Sequence, residues 1–88
     1  MQPDYIIEIA TSDYATTAAA VAGGANRIEL CANLAEGGTT PSYGVIKKCR
    51  ENFDTLIYPI IRPRGGDFVF TDEEFNCMVQ DVQLAKQL

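Results

Sequence analysis

The sequence predicts a parallel α/β fold in which three strand–helix units follow one another. Three observations carry that expectation. Runs rich in β-branched and aromatic residues begin near positions 5, 26 and 56, which is a strand signal. Each run is followed by a stretch with helix start signals, and no linker or low-complexity tract interrupts the series. Alternation of this kind makes parallel strands, because right-handed helical crossovers return the chain to the same end of the sheet.

Taken in order, the first strand is expected at Tyr5–Ala10, bounded by Pro3 on one side and by Thr11, Ser12 and Asp13 on the other. Ser12 or Asp13 then caps an alanine-rich helix that runs to Gly23 and Gly24, where glycine supplies a left-handed stop. Asn26–Cys31 reads as the second strand, followed by the loop ANLAEGGTT. Thr40 and Pro41 fit the N-cap and first helical position of a helix reaching about Phe53. Leu56–Pro63 reads as the third strand, although Pro59 cannot donate to a ladder. Thr71 and Glu74 form a capping box, and Phe75, Met78, Val79, Val82 and Ala85 recur at helical spacing behind it.

Residue parity separates two folds that begin this way. Ile7 and Ile9 share one face of the first strand, while Ile6, Glu8 and Ala10 share the other. Ile28 and Leu30 oppose Arg27, Glu29 and Cys31 in the second, and Ile60, Arg62 and Arg64 share a parity in the third. A doubly wound sheet is covered on both faces and reads as continuous apolar runs. A (β/α) barrel of the TIM type instead tolerates charge towards its C-terminal mouth, where its sites lie. The first strand–helix turn, ATSDYAT, has no G-x-G-x-x-G dinucleotide loop. The barrel is the better fit.

Composition removes several function classes. Twelve acidic against seven basic residues leave a net charge of −5, contrary to what a nucleic-acid surface needs. No apolar run approaches the ~20 residues of a membrane span, and the N-terminus lacks the basic and apolar regions of a secretion signal, so a cytoplasmic location is expected. Cys31, Cys49 and Cys77 are widely spaced and no histidine is present, which fits neither a disulfide framework nor a zinc module.

Three groups can carry chemistry. Glu8, Glu29 and Arg62 would meet inside a barrel, two carboxylates with a guanidinium able to bind one of them bidentately. They suit acid/base work or a structural ion cluster equally. Arg64, Gly65, Gly66 and Asp67 follow, where glycine backbone can form an anion-binding nest with an arginine beside it, or Asp67 can close the turn on an arginine. The loop EGGTTPS precedes a helix N-terminus, where anions bind or hydroxyls cap. Among the cysteines, Cys49 shares helical spacing with Ile46 and Phe53 and is expected in the core, and Cys77 lies off its helix's apolar stripe. Cys31 ends the second strand on Glu29's parity, facing the mouth, where a soft thiolate could bind Cu(I).

Two blocks, ANRIELCANLAEGGTTPSYGVIK and PIIRPRGGDFVFTDEEF, closely resemble the CutC family of copper homeostasis proteins, and the similarity runs from Glu8 onward. The resemblance implies a cytosolic TIM barrel, usually a homo-oligomer, linked to copper handling through Cu(I), with no reaction assigned. Such a barrel takes roughly 250 residues. Residues 1–88 are therefore expected to be the N-terminal (βα)₃ portion of one domain, the first three of eight units. The family's proposed copper site pairs a cysteine ending the first strand with one ending the second. Cys31 matches the second, and Ala10 stands at the first. The alternative is a TIM-barrel enzyme of unknown reaction, binding a small anionic substrate at the C-terminal face through Arg62 and the Arg64–Asp67 loop.

Overall fold

The computed structural model describes residues 5–88; Pro3, the expected strand boundary, lies outside them. Its elements run β1 (Glu8–Thr11), α1 (Tyr14–Ala22), β2 (Arg27–Leu30), a short 3₁₀ turn (Leu34–Glu36), α2 (Tyr43–Asn52), β3 (Leu56–Pro59) and α3 (Asp72–Lys86). The strands form one parallel sheet in the order β1-β2-β3. Strand–helix alternation is thus realised with each crossover landing its strand beside the previous one.

Register decides the faces. Glu8 pairs with Arg27 and Leu56 follows, while Ala10, Glu29 and Tyr58 lie in one row. Ile9, Ile28 and Ile57 form another row, as do Thr11, Leu30 and Pro59. Alternation along each strand therefore puts the second pair of rows on the helix side and the charged rows on the opposite side. Ile28 and Leu30 are fully buried beneath Ile46 and Cys49 of α2, with Ala20 and Val21 of α1 packed beside them. At the top of β1 the buried Thr11 hydroxyl meets that of Thr17 at 2.7 Å, tying strand to helix.

The helix starts follow their side chains. Asp13, not Ser12, caps α1: its Oδ1 accepts from Thr16 N–H at 2.7 Å, and Thr16 Oγ1 accepts in return from the Asp13 N–H. Gly23 keeps helical backbone, and Gly24 at φ +102° makes the left-handed turn. The Thr71–Glu74 capping box opens α3 as expected.

β1 ends one residue later than expected, at Thr11, and β2 is one residue shorter at each end; three boundaries shift further, each for a hydrogen-bonding reason. β1 starts at Glu8, since the Ile7 N–H donates to the Asn26 side chain and not to a strand. Ser42 caps α2 in place of Thr40, because the Thr40 hydroxyl is taken by Arg62: it accepts from Arg62 N–H at 2.8 Å and donates to Arg62 C=O at 3.1 Å. That same clasp draws the chain out of β3, which ends at Pro59 and not Pro63, after one last bond from Ile60 N–H to Leu30 C=O. The stripe on α3 is also less covered than its spacing suggests, with Phe75, Val79 and Val82 exposed.

The packing makes a direct prediction. Ile28→Ala, at the centre of the middle strand, lowers unfolding stability by about 2–5 kcal/mol, whereas Val69→Ala on the exposed loop changes it by less than about 0.5 kcal/mol. Urea unfolding of the two variants followed by circular dichroism measures the contrast.

Candidate functional site

The C-terminal ends of β2 and β3 carry two loops, and one side chain joins them. In the β2–α2 loop, Ala32 and Thr39 exchange two backbone hydrogen bonds of 2.8 Å, which folds the segment into a narrow turn. Asn33 takes a left-handed conformation, and Gly37 and Gly38 follow at φ +89° and +96°. This sequence of positive φ angles is open to glycine and tolerated by asparagine. Its result is that the carbonyls of Glu36 and Gly38 turn towards β3.

Arg62 meets them there. Its Nη1 donates to Glu36 C=O at 2.7 Å and Gly38 C=O at 2.9 Å, and its Nη2 donates to Gly66 C=O at 2.8 Å. The guanidinium lies 4.8 Å from the centre of the Phe68 ring, and only 7% of the residue is exposed. Arg62 therefore stitches the β2–α2 and β3–α3 loops together through neutral acceptors. The EGGTTPS loop, read as a place for anions or for capping hydroxyls, caps α2 through Ser42 and presents carbonyl acceptors to Arg62.

Arg64 performs a separate task. Its Nε and Nη2 fork onto the Glu74 carboxylate at 2.5 and 3.3 Å, and Nη2 also reaches Asp67 Oδ1 at 3.3 Å. Further bonds go to the carbonyls of Gly65, Asp67 and Val69. Glu74 is held below the usual carboxylate range by Thr71 N–H first and by Arg64 next. So Arg64 ties its own loop to the start of α3, and Asp67 closes the turn. The glycines serve this closure: a Cβ on Gly65 would sit 2.3 Å from Glu36 Oε2, and Gly66 holds φ +87°.

No hydrogen bond or ion pair among the described residues joins Glu8, Glu29 and Arg62. Glu8 Oε2 accepts from Arg27 Nε at 2.6 Å, its neighbour in register. Glu29 lies between Ala10 and Tyr58, and Arg62 stands beyond the paired rows, occupied by the loops. Arg27 was missed as a partner because nothing in a single strand's parity fixes which residue lies opposite. The signal existed in principle, as Glu8 and Arg27 both sit on the charged parity. The carbonyls that hold Arg62 leave no such trace, since any residue type supplies them.

Cys31, expected to end the second strand, follows its last residue Leu30, with its N–H still bonded to Thr11 C=O at 2.8 Å, and is 1% exposed. Gly38 covers it so closely that a Cβ there would lie 3.4 Å from Cys31 Sγ. The thiol donates to Glu29 Oε1 at 3.5 Å, and its pKa is pushed up to about 11, chiefly by burial and then by Glu29. Cys49 is buried in the core and Cys77 is exposed on α3.

Comparison with known proteins decides the relationship. The CutC family model matches residues 5–88. The chain belongs to the CutC family. A family protein CutC of Bacteroides fragilis is 49% identical over 86 residues, and one of Chromobacterium violaceum is 48% identical over 85, each match covering 97% of this chain and 34% of the relative. The chain thus spans about a third of the length of these curated relatives. A solved structure described as a copper homeostasis protein CutC, from Streptococcus agalactiae, superposes with a TM-score of 0.87 at 38% identity, covering 93% of this chain and 40% of that one. The fold is accordingly α/β of the TIM-barrel type, seen over three βα units.

The family's association with copper can be set against the donors present. Cu(I) prefers soft thiolates. Cys31 is a protonated, covered thiol whose neighbour is a hard carboxylate, and Ala10 offers no donor. No group of three or more potential ligands gathers among the described residues. These residues do not fit a copper site.

Two measurements follow from this geometry. Gly66→Ala lowers stability by about 1–2 kcal/mol because of its positive φ, while Gly44→Ala, in open space on α2, raises it by up to about 1 kcal/mol; thermal unfolding compares them. In alkylation by iodoacetamide followed by mass spectrometry, Cys31 stays unmodified near neutral pH and gains reactivity only as pH rises towards 11 or when the protein is unfolded.

Proposed function

We propose that the whole protein takes part in copper homeostasis, and that residues 5–88 serve as part of its barrel frame and not as the place where copper is held. The observation that carries the first half is the similarity to the Streptococcus agalactiae structure, whose description names copper homeostasis. The second half is supported by Cys31, the one thiol on the mouth side of β2, being 1% exposed beneath Gly38, with Ala10 on the adjacent strand offering no donor.

A cytoplasmic location belongs to the same proposal. All three cysteines are free thiols, which suits a reducing compartment, and no helix among the described residues is long and apolar enough to cross a membrane. Assembly of the whole protein as a homo-oligomer rests on the family resemblance. Copper enters this reading as cargo, and no step is assigned to the residues described.

The test is growth in raised copper of a strain lacking the gene, complemented with the full-length wild type or with Cys31→Ser. The expected result is a sensitised strain restored equally by both versions. Growth of the deletion strain equal to wild type overturns the copper role. Rescue by wild type but not by a stably expressed Cys31→Ser overturns the frame assignment, and makes Cys31 a ligand.

A further inference from the structure

Arg62 brings a full positive charge into a nearly closed site, and no carboxylate among the described residues forms an ion pair with it. A buried guanidinium is costly unless its charge is matched as well as hydrogen-bonded. Its three acceptors are neutral backbone carbonyls. Among the described residues, the ion pairs join Arg27 to Glu8, Lys47 to Glu51, and Arg64 to Asp67 and Glu74, and none includes Arg62. Of the two loops' carboxylates, that of Asp67 pairs with Arg64 and that of Glu36 is engaged with Asn33 Nδ2 at 3.0 Å.

The hydrogen-bond inventory points the same way. A guanidinium has five N–H donors. Nη1 uses both of its own and Nη2 uses one, while Nε is buried and has no partner among the described residues. Nε–H and one N–H of Nη2 remain, the pairing that grips an oxyanion side-on. Arg64 makes the contrast within the same motif, because its fork is already filled by Glu74.

We infer that Arg62 is the charged centre of a binding site for a small oxyanion, a phosphate or carboxylate group, at the C-terminal end of β3. The site is distinct from the copper reading and does not depend on it. It narrows the earlier expectation of an anion clamp, since Arg64 and Asp67 neutralise one another and only Arg62 has charge and donors to offer. The Phe68 ring centre lies 4.8 Å from the guanidinium carbon while 73% of the residue is exposed, and it follows the glycine pair Gly65–Gly66. Because Nε is buried, an oxyanion reaches it through local movement of the surrounding loops and gains a charge-assisted bond in return.

The experiment is a titration of the full-length protein, uniformly labelled with nitrogen-15, with inorganic phosphate and separately with acetate. The readout is the arginine side-chain Nε–Hε signals. The Arg62 signal shifts saturably with at least one anion while the Arg64 signal stays in place. A response to phosphate alone identifies a phosphoryl-bearing ligand, and a response to acetate alone a carboxylate. In Arg62→Lys, which keeps the charge and loses the fork, the affinity for that anion falls by about tenfold or more. An Arg62 signal that does not move with either anion overturns the site, as does undiminished binding by a folded Arg62→Lys protein. If that variant does not fold, the wild-type Nε–Hε titration decides alone.

Discussion

The order of the C-terminal face depends on one guanidinium. Arg62 gathers carbonyls from Glu36, Gly38 and Gly66, and its own backbone is clasped by Thr40. The side chain and main chain of a single residue thus fix two loops against the end of the sheet. Glycine at positions 37, 38 and 66 is a condition of that arrangement, because each bends the chain through positive φ to aim a carbonyl inward. The clasp also shortens β3, since Arg62 N–H is spent on Thr40 and is lost to any ladder. Arg64, held by Glu74 and Asp67, extends the same order to the start of α3.

The sheet beneath imposes a second constraint. Parallel register puts Ile28 and Leu30 against α2 and leaves Glu8, Arg27, Glu29 and Tyr58 on the opposite side. Charges on that side settle with near neighbours, Glu8 with Arg27, and Arg27 also over the Tyr58 ring at 5.2 Å. Glu8 and Glu29 are in different rows, and Arg62 lies above both. Cys31 is shaped by the same layering, placed at the strand end and then roofed by the loop that Arg62 pulls down.

Much of this was legible in the residues themselves. Strand–helix alternation, the Thr71–Glu74 box, the core position of Cys49 and the neighbourhood of the two loops all follow from local pattern. Local pattern failed where a side chain had two possible partners. Thr40 looks like a helix cap beside Pro41, and is one by chemistry; a partner 22 residues away took the hydroxyl first. Asp13 prevailed over Ser12 because Thr16 returned its bond.

The sequence by itself determined that the chain is parallel α/β, which side of each strand is apolar, where the helices begin and end to within a turn, and which family it belongs to. These are consequences of periodicity, capping chemistry and motif, all expressed within a few residues. Only the tertiary structure decided that Glu8 answers Arg27, that Arg64 pairs with carboxylates while Arg62 meets carbonyls, and that Cys31 lies beneath a loop. Those outcomes turn on register and on backbone carbonyls, and neither is encoded in the type of any one residue.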